Sequence, residues 1–354
     1  MFFENRDDIH IFERIVSQLK NHTILPSSNL VRNDESYFTF SPFQDTEQFF
    51  IKKSLNSGIK KQFCVRYINK LDLTNPLCLN SQLTITIQNY NRINQVSEME
   101  KIIKIISKII NKSLIIEVPV SIKEYFHNFN GSIRYTSDVK KASLPDVEGE
   151  HYYLRLYTDY YDEKIVVGNF LLVDFNKETN ISQLDSIFFQ ERIGMIQENV
   201  EYIFQRKKYH YCYQLLKSKQ LEEINIHRLL NDFITISTLF ENNILPTAKG
   251  IGSELSRKIK DLFIYSKYYC NLSSDELIYF YNEFLKYFKI AKHSERLFSD
   301  KINKIKVGLK NNINSIKNMN SLDWEYYHNT YGIPKEYFGI MDQISITDYN
   351  FRRA

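Results

Sequence analysis

Two periodicities divide the chain. Up to about Tyr209 the apolar residues alternate or run together in short segments, and beyond it they recur at helical spacing. The first element breaks that rule: Ile11, Phe12, Ile15, Val16 and Leu19 form one stripe and predict an opening amphipathic helix. His22 to Phe50 is interrupted by polar turn residues and reads as a loop leading to a short strand. Lys61 to Leu73 begins with alternation at Phe63, Val65 and Tyr67, a strand with Cys64 and Arg66 on the opposite face. Gln82 to Tyr90 alternates as an antiparallel strand does. Ser97-x-x-Glu100 has the spacing of a capping box for a helix carrying Ile102, Ile103, Ile106, Ile109 and Ile110 on one face. Strands are expected at Ser113 to Val120 and His151 to Tyr160, separated by a polar, irregular stretch from Phe126 to Glu150. Ile165 to Phe175 is nearly continuous in apolar residues, as a buried central strand is, with Gly168-Asn169 inside it. After Phe189 the period changes: Ile193, Ile196, Val200 and Ile203 follow helical spacing, placing Arg192 at a strand-to-helix handover. Further on, Ser273-x-x-Glu276 caps a helix with the stripe Leu277, Tyr281, Phe284 and Phe288, and the basic run Lys301 to Lys310 reads as a solvated helix face.

Composition narrows the class. A chain of 354 residues, 43% hydrophobic and 25% charged, is long enough for one large or two ordinary globular domains. A net charge of +4 permits contact with RNA without demanding it. Four dispersed cysteines form no Cys-x-x-Cys pair and the eight histidines no ligand-spaced cluster, so neither a zinc site nor a disulfide framework is expected. No signal peptide is visible at the amino terminus, and the most apolar stretch, Ile102 to Ile116, is broken by lysines and cannot span a bilayer. The expected location is a reducing cytoplasm, with no membrane attachment.

Candidate chemistry gathers at two places. Arg66 and Lys70 flank the turn that ends the Phe63–Tyr67 strand, either as solvated surface cations or as a clamp for a phosphate. Asp185, Glu191 and Arg192 flank a buried element, where uncompensated charge is costly. They are either a structural ion pair at a strand end or the lining of a pocket. Arg155 and Glu150 are further pocket candidates.

These segments together resemble the catalytic core of alanyl-tRNA synthetases, which belong to the class II aminoacyl-tRNA synthetases. His22, Ser27, Ser28, Leu30, Val31, Asn33, Asp34, Phe38 and Thr39 match the family's motif 1 region. Cys64-Val65-Arg66 with Lys70 reproduces its motif 2. Asn169, Asp185, Glu191 and Arg192 match its final strand pair and motif 3. Leu245, Pro246, Gly250 and Gly252 match the turn that opens its acceptor-binding helix. The matches fall in family order over roughly residues 1 to 265. The motif 3 glycines are replaced, and the glycine- and cysteine-rich amino-acid loop with its tryptophan is absent. Ala248 stands where the family reads its tRNA with an asparagine. No counterpart of the editing or carboxy-terminal domains is seen, which implies a divergent, truncated member.

The resemblance implies an α+β fold: an antiparallel sheet flanked by helices over residues 1–214, then an all-helical domain over 215–354. It further implies ATP-dependent activation of an amino acid to an aminoacyl-adenylate, with Mg2+ accompanying ATP. Arg66 and Lys70 would hold the ATP α-phosphate and the amino-acid carboxylate, Asp185 with Asn169 the ammonium group, and Glu191 and Arg192 the nucleotide. Lys249, Arg257 and Lys258 would face the acceptor. That acceptor is open between tRNA, a carrier protein and a small molecule, and a non-catalytic binding protein is the remaining alternative. Neither the amino acid nor the oligomeric state follows from the sequence.

Overall fold

The computed structural model of the chain describes residues 3, 6–32, 37–51, 57–66, 77, 79–137, 147, 149–316 and 323–341. Lys70, and with it Asn33 and Asp34 of the motif 1 match, lies outside them. The fold is α+β and divides into two compact units. One is sheet-bearing, Glu4–Tyr67 with Ser81–Lys207; the other is dominated by the helical Lys208–Tyr349.

The sheet-bearing unit contains β1 (His22–Leu25), β2 (Ser57–Val65), β3 (Ser81–Ile93), β4 (Ile115–Pro119), β5 (Ser132–Thr136), β6 (Glu150–Tyr160), β7 (Glu163–Asn176) and β8 (Ile181–Phe189). They form one eight-stranded sheet in the order β1-β2-β3-β8-β7-β6-β4-β5. The six inner strands pair antiparallel, while β1 joins β2 and β5 joins β4 in parallel, so the sheet is mixed where a purely antiparallel one was expected. Both additions sit at the edges. β1 lies at the start of the segment expected to lead into a strand, not at its end, and β5 lies inside the stretch read as irregular. Its alternation is hard to see because most of it is exposed, so polar and apolar positions are not sorted by burial.

Cross-strand register sorts the side chains onto two faces. One face carries Ile59, Ile85, Ile87, Phe188, Phe170, Leu172, Leu154, Leu156, Ile116 and Val118, all fully buried. Gly168 belongs to this face. A Cβ there would lie 2.5 Å from Phe188 Cδ1 and 2.8 Å from the Ile187 carbonyl oxygen, which is why the apolar run of β7 contains a glycine. The longer helices described in this unit are α1 (Arg6–Gln18), α3 (Val96–Ile110) and α4 (Gln190–Gln197). They pack on one another, and α4 packs on β3. The predicted Ser97–Glu100 capping box does not form: the N-cap of α3 is Gln95, two residues earlier, and Asn94 Oδ1 accepts from the Val96 N–H at 3.0 Å instead.

The opposite face is polar. Lys60, Thr86, Ile187, Asn169, Arg155 and Glu117 stand directly opposite one another from strand to strand. Part of this face is covered by residues 42–51, a short 3-10 turn (Pro42–Asp45) followed by α2 (Glu47–Ile51). There Phe43 and Phe50 join Tyr90, Leu171, Val173 and Val147 in a small apolar cluster.

The helical unit contains α5 (His210–Lys217), α6 (Glu223–Glu241), α7 (Ile251–Tyr268), α8 (Ser274–Tyr287), α9 (Lys292–Asn314) and α10 (Trp324–Tyr331). The predicted cap of α8 is present, with Ser273 and Glu276 bonded reciprocally. The two glycines at the start of α7 have separate causes. Gly250 is its N-cap at φ +62°, a conformation that L side chains resist. A Cβ on Gly252 would lie 2.2 Å from Thr247 Oγ1 and 2.3 Å from the Leu245 carbonyl oxygen.

Candidate active site

On the sheet itself, buried charge gathers on the polar face. Asp185, in the middle of β8, is 1% exposed. Its Oδ1 accepts from Gln88 Nε2 at 2.9 Å, and the Ser186 backbone also bonds to it. Burial pushes its carboxyl up to about 7, against the opposing pull of those hydrogen bonds and of the nearby Lys60 ammonium. Lys60, 2% exposed, is itself pushed down by burial and partly restored by Asp45, Cys64 and Asp185. Its Nζ donates to Ser28 Oγ and lies 3.8 Å from Asp45 Oδ2. Gln88 Nε2 also donates to Thr46 Oγ1 at 2.8 Å, tying the covering segment to the sheet. An ammonium group reaches Asp185 only by displacing what covers it.

Tyr153, on β6, marks the centre of the site. Burial raises its hydroxyl, and four other groups act on it: the Arg66 and Arg192 guanidinium groups lower it, the Asp185 carboxylate raises it, and the Asn169 side chain is hydrogen-bonded to it. Four residues singled out from the sequence thus converge on one side chain that was not. Arg66 follows directly after β2, its Nε donating to the Phe40 carbonyl oxygen at 2.8 Å. Arg192, in the first turn of α4, donates from Nη1 to the Val166 carbonyl oxygen at 2.7 Å. The guanidinium carbon of Arg192 lies 4.4 Å from the centre of the Phe189 ring, a cation–π stack with the bulky residue near the replaced motif 3 glycines. Beside this group, Arg155 lies 4.0 Å from Glu117 on β4, both partly exposed.

Glu191 is placed differently from its neighbour. Its Oε2 accepts from Arg206 Nη1 at 2.6 Å, and Asp8 and Glu198 take the other nitrogens of the same guanidinium at 2.7 and 2.9 Å. Arg206 is fully buried. Burial alone would lower its proton affinity, but Glu191, Asp8 and Glu198 outweigh it and raise it instead. Glu191, expected at the nucleotide by the resemblance, is thus engaged in a buried ion pair with a partner fifteen residues downstream. Gly194 makes it possible: a Cβ there would sit 2.2 Å from the Arg206 guanidinium carbon.

Of the acceptor candidates in the helical unit, Lys249 is exposed in the turn before α7, and Arg257 is exposed and pairs with Glu254. Lys258 points inward, its Nζ 2.6 Å from Asp232 Oδ1, while Arg228 Nε bonds Asp232 Oδ2 at 2.8 Å. Burial and the Arg228 charge lower the Lys258 ammonium against the pull of Asp232. Glu150, also a pocket candidate, lies 3.0 Å from Lys177 and accepts from the Tyr152 hydroxyl.

The residues missed by sequence reading are Lys60, Gln88 and Tyr153. Polar side chains recurring at alternate positions of Gly58–Val65 and Ser81–Tyr90 were the available signal, since a strand whose second face were simply wet would not bury Gln62, Thr84, Thr86 and Gln88. Among the described residues no helix is long and apolar enough to cross a membrane, and no three His, Cys, Asp or Glu side chains are gathered as a metal-binding set. Compared with models of known protein families and with curated protein sequences, the chain matches none.

Proposed function

We propose that the sheet-bearing unit activates a small amino acid with ATP. The amino-acid carboxylate attacks the α-phosphorus, the bond to the β-phosphate oxygen breaks, and aminoacyl-adenylate and pyrophosphate are the products. The observation that carries this reading is that the charges of Arg66, Asp185 and Arg192 all act on Tyr153, to which the Asn169 side chain is hydrogen-bonded. The reaction brings together an ammonium, a carboxylate and a polyphosphate, and so needs an anion and cations within one site. Asp185 with Asn169 takes the ammonium, Arg66 the α-phosphate and carboxylate, and Arg192 the nucleotide. Lys70 would share the role of Arg66 by the resemblance to alanyl-tRNA synthetases. Magnesium would arrive on the ATP phosphates.

The acceptor is more open. Lys258 is committed to Asp232 and Arg257 is paired with Glu254, which favours a carrier protein or small acceptor over ordinary tRNA reading. Filter binding is therefore expected to show less than about tenfold preference, 1.4 kcal/mol, for alanine tRNA over other tRNAs. A larger preference would restore tRNA as the acceptor.

Pyrophosphate exchange into ATP, screened across proteinogenic and common non-proteinogenic amino acids with magnesium present, tests the activation step. Exchange with at least one small amino acid and without tRNA is the expected result. Silence across the whole screen with folded protein would leave a synthetase-like binding protein, a reading the Phe189–Arg192 stack favours because it already occupies one side of the guanidinium.

A further inference from the structure

Helix α3 turns one face to the sheet-bearing unit's interior, where Met99, Ile102, Ile105, Ile106, Ile109 and Ile110 are buried. Its outer face carries Lys101, Lys104 and Lys108, with Lys112 just past its end, all exposed. Spacings of three and four residues align the ammonium groups of Lys101, Lys104 and Lys108 along one side, a row about 10 Å long at 1.5 Å per residue, and Lys112 follows the left-handed Asn111 that ends the helix. Like charges at such spacings destabilise a helix by a few tenths of a kcal/mol per pair, so local helix stability does not account for the row. Nor is the row on a convex surface. The lysines line one side of an open, shallow depression whose other side is the turn from Phe129 to Ser132. Glu100 is the one carboxylate in that lining, and its Oε1 already accepts from the Asn130 N–H at 2.6 Å, joining the two walls. Phe129, half-buried, packs edge-on against Phe126. Gly131 leaves room for its ring, since a Cβ there would come within 2.7 Å of it.

We propose that this groove holds a single nucleic-acid strand, its phosphates along the lysine row and a base against Phe129. A line of ammonium groups beside an aromatic ring in a shallow depression is the combination by which strands are bound without sequence readout. The inference is independent of the activation reading, because its residues lie outside the polar sheet face.

The test is fluorescence anisotropy with a labelled oligouridylate of about twenty nucleotides across a salt series. Each phosphate contact on a single strand contributes about 0.7 to the slope of log K against log salt. Lys104→Ala/Lys108→Ala should therefore flatten the slope by about 1.4 and weaken binding at least tenfold at about 0.1 M salt. Phe129→Leu should weaken binding with the slope unchanged, because stacking releases no counterions. Lys304→Ala/Lys306→Ala/Lys310→Ala on α9 should change neither, and pyrophosphate exchange should be the same in all three variants. An unchanged slope in the α3 double variant overturns the proposal. So does displacement of the oligonucleotide by polyglutamate at equal charge concentration, which would mark the groove as a docking face for an acidic protein.

Discussion

Replacing Arg206 by Met is expected to destabilise the protein by at least about 3–5 kcal/mol, the usual cost of removing one partner from a buried ion pair. The expectation rests on stoichiometry: one fully buried guanidinium serves Asp8, Glu191 and Glu198 from α1, α4 and the end of α4. Without it, three carboxylates face one another out of water. Each then prefers its protonated form, so the deficit should shrink as the pH falls towards 5. Urea unfolding of the sheet-bearing unit at pH 8 and pH 5 measures both effects. A companion variant, Arg206→Met with Asp8→Asn, Glu191→Gln and Glu198→Gln, removes all the charges and should recover most of the loss. A single variant as stable as the parent at pH 8 would mean that water reaches the cluster.

That cluster shows where the sequence was legible and where it was not. The strand at Ile165 to Phe175 and the change of period after Phe189 were readable because burial on a sheet face and on a helix stripe impose different spacings. The pairing of Glu191 with Arg206 and Asp8 was not, because it depends on a close approach between α1 and the segment after α4 that no local period records. The same holds for the site. Arg66, Asn169, Asp185 and Arg192 were picked out by matching motifs, yet Tyr153, on which they act, looks in sequence like one more aromatic strand residue. Lys60 and Gln88 were not singled out, because a polar residue on a strand is ordinarily taken to face solvent. Only the register, which sets Gln88 beside Asp185 and lays residues 42–51 over them, reveals a buried polar face.

Asp185→Asn should separate stability from function in opposite directions. The carboxyl of Asp185 lies at about 7 in the folded chain, above the 3.8 of an exposed aspartate. A raised value means that the fold binds the proton more tightly than the unfolded chain, so its contribution to stability is complete below about pH 4 and is lost as the pH rises through 7. Asparagine keeps the shape and the acceptor for Gln88 and removes the charge. The unliganded variant is therefore expected to be more stable than the parent at pH 8, by up to about 4 kcal/mol, with the difference vanishing near pH 4. Its function should move the other way. A charge-assisted bond to an ammonium is worth on the order of 1.5–3 kcal/mol, so exchange or amino-acid affinity should fall at least tenfold while ATP binding stays near normal. Arg192→Ala should show the converse, losing ATP first with little change in melting temperature, because its guanidinium stacks on Phe189 at a partly exposed position. Melting temperatures at pH 4, 6 and 8, with both affinities, resolve the two variants. If Asp185→Asn lowers the melting temperature at every pH and shifts both affinities equally, the carboxylate is a structural member of the Gln88–Lys60 network and has no part in holding substrate.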